Sequence, residues 1–305
     1  MQKLQVTTPK QRLDCGICHY QVDPNNKSAF VTFNCNLRVF AEQQFQVWRC
    51  PDCQTIHCLE EVDLDYYYAQ YPYEDLKITP PLRLIYGNLY RRLAKHGFSQ
   101  ASSLLDYGCG KGLFIQYLRE RGFNNCQGYD PYAPPEDFGD PAVIQKRQFD
   151  YILLSDVIEH VEDPYALIAE LDRLLAPGGR ILIGTPNAAN IDLTRPNLCD
   201  YYNEVHVPYH LHIYTRESIE SLAQQVNWQP IDFYDRPYYD IPWFGLNARA
   251  WNQYQRLGDG TIDTVVQDPI SWGKALSSPK FWFYGIFGYW LSLRTGMDIM
   301  FAKDI

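Results

Sequence analysis

The sequence has no long hydrophobic run and no excess of positive charge. Its most apolar stretch, residues 281–293, is bounded by Lys280 and Arg294. That stretch is shorter than the roughly 18–20 apolar residues that span a bilayer. Residues 1–6 contain no apolar run of the kind that a signal peptide needs. A formal net charge of −9 argues against general affinity for nucleic acid or for an anionic membrane surface, so we expect a cytoplasmic protein without a transmembrane segment.

The chain is long enough for one large domain or for two domains of unequal size. It has 305 residues, of which 46% are hydrophobic and 21% are charged, and this composition excludes a mainly disordered chain. Six of the nine cysteines precede residue 60, where the formal charge is +1, whereas residues 61–305 carry −10. Because both properties change there, we predict a domain at 1–60, a connector at 61–100 and a larger domain at 101–305.

Two CxxC pairs stand in the first 60 residues and are separated by 31 residues. Each pair places two sulfurs on one tight turn, and two such turns complete a tetrahedral four-sulfur shell for zinc. Residues 29–33 and 45–48, between the pairs, are typical of short strands. The segment therefore resembles a zinc ribbon, whose closed shell makes the metal structural rather than catalytic. The predicted ligands are Cys15, Cys18, Cys50 and Cys53.

Two other interpretations of these cysteines stay open. They could be ordinary buried or redox-active thiols, although a segment of this size with few aliphatic side chains needs a metal or a covalent cross-link to be stable. Alternatively, His57 or Cys58 could replace one of the four ligands.

The predicted connector combines a tyrosine-rich segment with a helical pattern. Apolar residues at three- and four-residue steps follow Pro80 and Pro81, and they predict a helix that ends at Gly97. The tyrosines before it form either a packing surface between domains or an aromatic lid over a ligand site. They are Tyr66, Tyr67, Tyr68, Tyr71 and Tyr73.

A glycine-rich turn follows a short apolar strand at residues 101–106. The turn reads Asp106-Tyr107-Gly108-Cys109-Gly110-Lys111-Gly112, and a predicted helix follows it. Glycines let the backbone pass close to a ligand, and the helix N-terminus offers free N–H donors. The spacing D-x-G-x-G-x-G is not the dinucleotide fingerprint GxGxxG, because the last position of that pattern, counted from Gly108, falls on Leu113. It is not a phosphate loop either, because Lys111 is not followed by Ser or Thr.

The turn resembles the first motif of class I S-adenosylmethionine-dependent methyltransferases, and three further segments follow in that family's order. Residues 127–130 are similar to its second strand, residues 149–161 to its fourth strand and the segment after it, and residues 174–187 to its fifth strand. In the family, the acid after the second strand binds both ribose hydroxyls, and the two oxygens of a carboxylate suit a vicinal diol. The resemblance implies these cofactor residues: Asp106, Gly108, Gly110, Gly112, Asp130 and Asp156.

The resemblance also implies the fold class. We expect an α/β fold with a Rossmann-like, mostly parallel sheet and one antiparallel edge strand, preceded by the small zinc-ribbon-like β domain. Residues 230–234 and 296–302 are the candidates for the last two strands. An aromatic-rich insertion at 241–293 separates them, and we interpret it as packed helices. A cap over the substrate, a dimer face and weak contact with a membrane surface are the alternatives for that insertion.

One segment departs from the family pattern. Eighteen residues follow Asp130 before Phe149, and four of them are prolines, which preclude much helix. We expect a minimal third strand at 142–144. The candidates for contact with the adenine are Asp137 and Asp140.

Histidines supply the candidates for acceptor chemistry. Methyl transfer mainly needs orientation of the acceptor, and it needs a base only where the acceptor must lose a proton. We predict His210 and His160 as catalytic base or acceptor contact, because ligands of open α/β sheets bind beyond the carboxyl ends of strands. His206 and His212 are further candidates. The histidines at 206, 210 and 212 could instead bind a metal, or each could be a hydrogen-bonded structural imidazole.

These features predict an enzyme that transfers a methyl group from S-adenosylmethionine to a small acceptor, such as a sugar or another biosynthetic intermediate. An RNA-base methyltransferase is the first alternative, but the acidity of residues 61–305 disfavours nucleic acid as a partner. The second alternative is a non-catalytic zinc-ribbon interaction protein on a degenerate methyltransferase fold. The sequence does not determine the oligomeric state.

Overall fold

The computed structural model describes residues 10–71, 77–145, 147–195 and 203–304. Tyr73 and Cys199 lie outside these residues. The strands fall into two sheets. In chain order they are β1 (Phe30–Asn34), β2 (Gln44–Arg49), β3 (Ile56–Cys58), β4 (Leu104–Tyr107), β5 (Cys126–Tyr129), β6 (Phe149–Ser155), β7 (Leu175–Pro186), β8 (His212–Ile213), β9 (Gln229–Tyr234) and β10 (Gly296–Ala302).

The larger sheet has six strands in the order β5-β4-β6-β7-β10-β9. Strands β5, β4, β6 and β7 are parallel to one another, and β10 runs antiparallel to both β7 and β9. This confirms the predicted Rossmann-like, mostly parallel sheet, with its antiparallel strand one place in from the edge. The centre of the sheet is buried on both faces, which is why β4, β6 and β7 contain the apolar runs 104–105, 151–154 and 181–183.

Helices cover both faces of this sheet and begin where the sequence supplies caps. Asp163 accepts a hydrogen bond from Ala166 N at the start of α5, and Thr215 accepts one from Ser218 N at the start of α6. The helices are α1 (Leu64–Tyr68), α2 (Pro80–Lys95), α3 (Leu113–Arg119), α4 (Ala142–Gln145), α5 (Pro164–Leu174), α6 (Arg216–Gln224), α7 (Ala248–Leu257), α8 (Asp263–Val266), α9 (Trp272–Ser277) and α10 (Pro279–Phe287).

The expected third strand at 142–144 is wrong. Those residues lie in the short helix α4, and a single π-helical turn at Pro135–Gly139 precedes it. Within the described residues β5 is therefore the edge strand of the sheet. The physical reason is that the segment is short and rich in proline, so it folds back over the end of β5 instead of adding a strand, with Asp130 N donating to Phe138 O.

The smaller sheet joins the cysteine-rich segment to the rest of the chain. Its order is β1-β2-β3-β8, and β8 comes from residues 212–213, far along the chain. Ile56 pairs with Ile213, and His57 pairs with His212. The side chains of Trp48 and Ile17 belong to the same buried cluster as those of the larger sheet. The predicted boundary near residue 60 stays a prediction, but hydrogen bonds and a shared core cross it.

The aromatic-rich insertion consists of the helices α7 to α10. It packs on the cysteine-rich segment, where Ile262 N donates to Asn36 O at 2.9 Å. Much of its apolar surface is exposed, with Trp272 at 66% and Trp290 at 64% of their full accessible area. Within the described residues, no helix has both the length and the apolar character needed to cross a membrane.

Candidate functional site

The four predicted zinc ligands come together between the two CxxC turns. Each of the four sulfurs lies within 4.8 Å of the others. The Sγ atoms of Cys15 and Cys53 are 3.4 Å apart, as are those of Cys18 and Cys50. Sulfurs held about 2.3 Å from a tetrahedral zinc lie about 3.8 Å from one another, so the cluster fits that ion. The hydrogen bond between Cys15 and Cys53 lowers the pKa of Cys53 and raises that of Cys15, so within this pair the thiolate lies on Cys53.

The two turns that carry the cysteines have the same hydrogen bonding. His19 N donates to Cys15 O, and Gln54 N donates to Cys50 O. The residue after each second cysteine, His19 or Gln54, has a φ of +62°. Both turns therefore bend the chain tightly enough to aim two sulfurs at one point.

A buried pair of histidines supports this cluster. His57 Nε2 lies 3.2 Å from Cys15 Sγ, and His57 Nδ1 lies 2.8 Å from Nδ1 of His212. Burial, followed by the charge of Arg12, lowers the pKa of His57 to about 3, so the ring is neutral. The Nε2–H of His57 then donates to the sulfur, and His212 donates to His57 Nδ1. Neither histidine belongs to the four-sulfur group, but the His57 ring contacts one of its members.

The glycine turn lies at the carboxyl end of β4, as predicted. Gly108, Gly110 and Gly112 all have positive φ, at +77°, +53° and +65°. Gly108 N donates to Tyr129 O, which ties the turn to the neighbouring strand. Nothing lies within 4 Å of the position that a Cβ on Gly110 would occupy, so the backbone there faces open space. A ligand can approach this stretch of backbone closely.

The last glycine of the turn is required by packing. A Cβ on Gly112 would lie 2.1 Å from the ring of Phe138, and one on Gly128 would lie 2.8 Å from the same ring. Phe138 belongs to the π-helical turn after β5. Its ring packs on both glycines and so holds the turn against β5. Sequence reasoning did not single out Phe138, because its partners are the backbones of two distant glycines.

Asp130 lies directly beside the glycine turn. Its Oδ2 accepts a hydrogen bond from Gly110 N at 2.8 Å, and its Oδ1 accepts one from Tyr132 N at 2.9 Å. Each oxygen keeps a lone pair for another donor. Burial, together with the charge of Asp130, raises the pKa of Asp106 to about 7. The two predicted acids therefore frame the turn, one buried beneath it and one at its rim.

Asp156 follows β6 at a φ of +53°, next to the same edge of the sheet. Its main-chain N donates to Gly184 O at 2.9 Å. Desolvation, and then the negative charges of Asp298 and Glu204, raise the pKa of Asp156 to about 7. Asp156 therefore senses two other carboxyl groups, of which Asp298 lies within β10 and is ion-paired with the buried Arg92.

The two predicted catalytic histidines lie against each other, although 50 residues separate them in the sequence. The ring centroids of His160 and His210 are 4.7 Å apart. His160 Nδ1 lies 2.9 Å from Tyr209 O, and His210 Nδ1 lies 2.7 Å from Glu204 O. A carbonyl only accepts, so Nδ1 carries the proton in both rings and Nε2 keeps its lone pair. Burial lowers the pKa of His160 to about 4 and holds that of His210 well below its usual value, so both are neutral.

The other histidines of this segment have structural partners. His206 Nε2 lies 2.9 Å from the hydroxyl of Tyr71, and its Nδ1 contacts Asn36 Oδ1, so both ring nitrogens are engaged. His212 pairs with His57 near the cysteines. Among the described residues, the group of potential metal ligands that includes His210 contains neither of them. The metal site of three histidines, 206, 210 and 212, is therefore not formed.

The tyrosine segment lies over the histidines, with one of its members packed elsewhere. The hydroxyl of Tyr68 is 2.8 Å from His160 Nδ1, and its ring stacks on Tyr132 at 5.5 Å. Tyr67 is buried in the core of the smaller sheet instead. A cavity of about 450 Å³ lies beside this point, and Tyr132 and His160 are part of its lining. Tyr67 and Tyr68 therefore pack against other parts of the chain, whereas an aromatic lid over a ligand site stays a prediction.

Comparison with known protein families identifies the domain that contains the glycine turn and the two histidines. A family model described as "Methyltransferase domain" matches residues 82–232, which include the glycine turn, Asp130, His160 and His210. Residues 82–232 therefore form a methyltransferase domain. The methyltransferase domain does not include the four cysteines, which precede the matched residues.

Curated relatives of the methyltransferase domain are ubiquinone biosynthesis O-methyltransferases. The protein of that name from Xanthomonas oryzae pv. oryzae is 28% identical over 139 residues, which cover 39% of this chain and 55% of the relative. The one from Dinoroseobacter shibae is 26% identical over 198 residues, covering 58% of this chain and 74% of the relative. The chain thus spans little more than half the length of the first relative.

Solved structures also resemble the chain. A putative sarcosine dimethylglycine methyltransferase from Galdieria sulphuraria is 14% identical with a TM-score of 0.46, covering 79% of this chain and 96% of its own. Phosphoethanolamine N-methyltransferase 2 of Haemonchus contortus, in complex with S-adenosyl-L-methionine, is 15% identical with a TM-score of 0.46. It covers 82% of this chain and 64% of its own.

Proposed function

We propose that this chain transfers a methyl group from S-adenosylmethionine to a small-molecule acceptor. The observation that carries the proposal is the glycine turn with Asp130 at its rim, at the carboxyl edge of the sheet of a methyltransferase domain. S-adenosylmethionine supplies a methyl group that its sulfonium centre already activates. The protein therefore has to bind the cofactor, orient the acceptor and exclude water.

The residues of the turn fit this cofactor. The open backbone at Gly110 allows close approach, and the remaining lone pairs of Asp130 suit the two hydroxyls of a ribose. Asp106 and Asp156 flank the turn, and Gly108 and Gly112 shape it. The adenine contact stays a prediction, because Asp137 is exposed and Asp140 accepts a hydrogen bond from Ala142 N, so neither is committed to a ligand.

We place the methyl acceptor near His160 and His210. Both rings are neutral and present Nε2, so either can accept a proton or a hydrogen bond from an acceptor group. The relatives' names point to an O–H acceptor. The −10 charge of residues 61–305 favours a small acceptor over RNA.

We propose a structural zinc for the cysteine cluster. Its support is the close approach of four sulfurs on two matching turns, and the His57 ring that donates to one of them. Four sulfurs close the coordination shell, so this ion has no position left for a substrate. Its role is to hold β1 to β3 against β8.

Isothermal titration of the zinc-loaded protein with S-adenosylmethionine tests the proposed function. We expect one site per chain with a dissociation constant on the order of micromolar. Release of S-adenosylhomocysteine is then measured with separate panels of phenols, sugars, amines and purified RNA. Absence of cofactor binding would contradict the proposal, and turnover of RNA alone would favour the RNA-base alternative. Binding without turnover of any acceptor would favour the non-catalytic one.

A further inference from the structure

The outer helices of the aromatic-rich insertion, α9 and α10, present large apolar side chains to solvent. Soluble monomers rarely expose a contiguous apolar patch unless it binds something. Within the described residues, the side chains concerned keep between 41% and 66% of their full accessible area. We call this set the aromatic face. Its members are Trp243, Phe244, Trp272, Leu276, Trp282, Phe283, Ile286, Phe287, Trp290 and Leu291.

The orientation of α10 is fixed by two glycines on its inner side. A Cβ on Gly285 would lie 2.6 Å from the ring of Phe244, and one on Gly288 would lie 2.2 Å from Oδ1 of Asn247. Asn247 Nδ2 also donates to Tyr284 O at 3.1 Å. The inner side of the helix therefore has no room for a side chain at either glycine, so α10 cannot turn its large residues inward.

The outward residues of α10 form one continuous surface. Positions 282, 283, 286 and 287 share one side of the helix. The rings of Phe283 and Phe287 are 5.3 Å apart, and that of Trp282 is 5.1 Å from the ring of Phe244. A surface helix of a soluble domain normally turns its apolar side to the core. Here that arrangement is reversed, which indicates that the aromatic face has an apolar partner outside the chain.

The segment that carries this face is positively charged, although the whole chain carries −9. Residues 269–294 contain no Asp or Glu. Their charged residues are Lys274, Lys280 and Arg294. Arg294 pairs with Asp235, and the acid just before the segment, Asp268, pairs with Arg38. Lys274 and Lys280 are exposed and form no salt bridge within the described residues, so the partner that fits is apolar with a negatively charged border.

We propose that the aromatic face binds the surface of a lipid bilayer that contains anionic lipid. Tryptophan and phenylalanine rings enter the boundary between acyl chains and headgroups, where lysines meet the lipid phosphates. The helix α10 has nine residues, so it lies along the bilayer and does not cross it. The acidic remainder of the chain keeps the rest of the protein away from such a surface, so we expect weak, salt-sensitive binding through this face.

A second copy of the chain fits the face less well than a bilayer does. A two-fold interface would bring Lys274 and Lys280 close to their own copies, and the segment offers no acid to pair with them. The methyltransferase family model ends at residue 232, so the face belongs to the insertion and not to the matched domain. The proposal goes beyond methyl transfer and does not depend on it.

Vesicle flotation of the full, zinc-loaded chain tests the proposal without cofactor or acceptor. One set of vesicles contains phosphatidylcholine alone, and the other contains phosphatidylcholine mixed with phosphatidylglycerol. We expect the chain to float with the mixed vesicles and to bind them about tenfold more tightly than the neutral ones, with the difference lost at high salt. Failure to float with the mixed vesicles would overturn the proposal.

A pair of serine substitutions locates the contact. Phe287→Ser combined with Trp290→Ser should weaken binding to the mixed vesicles at least about tenfold, because two exposed rings leave the face. Leu84→Ser combined with Ile231→Ser, which changes two other exposed apolar residues on α2 and β9, is the matched control and should bind as the parent does. Circular dichroism checks folding. Equal binding by the two folded variants would refute the face.

Charge reversal keeps the test decisive if the serine variant does not fold. Lys280→Glu should weaken binding to the mixed vesicles about tenfold, whereas Lys27→Glu, at an exposed lysine of the cysteine-rich segment, should not. Equal binding by these two variants would contradict the proposal. Light scattering without vesicles covers the other occupant: a dimer of the parent chain that does not float, and that dissociates on Phe287→Ser, would assign the face to a second copy and overturn the proposal.

Discussion

The cysteine turns and the glycine turn both prepare a binding site, but they are built in opposite ways. In the cysteine turns, four side chains converge on a point that the protein itself does not fill. In the glycine turn, three residues have no side chain, and main-chain N–H groups donate to Tyr129 O and Asp130 Oδ2. We expect the first arrangement to depend on the proposed zinc ion for its stability. The second keeps its shape through its own hydrogen bonds and is ready before a ligand arrives.

This contrast teaches what each region tolerates. Cysteine positions are sensitive to side-chain identity, because a hydroxyl cannot replace a thiolate ligand. Glycine positions are sensitive to any side chain at all, because a Cβ at Gly112 would lie 2.1 Å from Phe138. Substitutions in the two regions should therefore fail for different reasons, and they should be distinguishable by different measurements.

The largest expected effect follows removal of the zinc. In the Cys50→Ser variant, or after chelation, we expect the smaller sheet to lose its order and the chain to lose at least about 5 kcal/mol of unfolding free energy, since structural zinc contributes ~10–16 kcal/mol in small domains. Hydrogen exchange should rise in β1 to β3 and also in β8. Cys126→Ser, a thiol in β5 away from the cluster, should retain one zinc. Unchanged exchange at residues 212–213 would show that the ribbon is independent of the larger domain.

The next effect is at the last glycine of the turn. Gly112→Val should weaken binding of S-adenosylmethionine more than 100-fold, because the residue has a φ of +65° and its new side chain would displace Phe138. Calorimetry measures this. Gly273→Ala, in α9 with open space around it, is the matched control and should bind normally.

A double variant sharpens this prediction. Combining Gly112→Ala with Phe138→Ala removes the clash but keeps the positive φ. We expect it to recover part of the affinity that Gly112→Ala alone loses. No recovery would mean that backbone strain rather than Phe138 makes the glycine necessary.

A smaller effect is expected at the rim of the turn. Asp130→Ala should weaken cofactor binding about 10–100-fold, because it removes charge-assisted hydrogen bonds and also releases Gly110 N and Tyr132 N. Glu217→Ala, an exposed acid on α6, is the control and should leave the dissociation constant within twofold. Equal affinities of the Asp130→Ala and parent proteins would refute the ribose role.

The smallest expected effect concerns the support of the cysteine cluster. His57→Gln should keep one zinc per chain but release it to a chelator about 10–100 times faster, since the N–H donor to Cys15 is lost or misplaced. His19→Gln, an exposed histidine on the first cysteine turn, serves as the control. Equal release rates in the two variants would remove His57 from the metal site.

The sequence predicted well whatever depends on neighbouring residues. The two CxxC turns and the glycine turn are local patterns, and the structure contains each of them. The mostly parallel sheet followed from the resemblance, although the expected third strand at 142–144 did not form. The roles of the individual site residues stay predictions, although the structure brings them to one edge of the sheet.

What the sequence did not show depends on contacts between distant residues. The link from His57 to His212, and the placement of Phe138 against two glycines, have no local signal. The segment after Asp130 misled prediction, because Ala142-Val143-Ile144 has the composition of a strand but too few flanking residues to cross back to the sheet. The sequence does not distinguish His160 and His210 from the histidines at 206 and 212, because the difference lies in their hydrogen-bond partners.

The pairing of β3 with β8 has a consequence for synthesis on the ribosome. His57 and His212 are 155 positions apart, so the first sheet of the chain lacks its last strand until the second half has been made. At 5–20 residues per second, this interval is roughly 8–30 s. During that time the open edge of β3 is a site for pairing with another nascent chain. Zinc supply during translation should therefore affect the yield of native protein more than zinc supply after it.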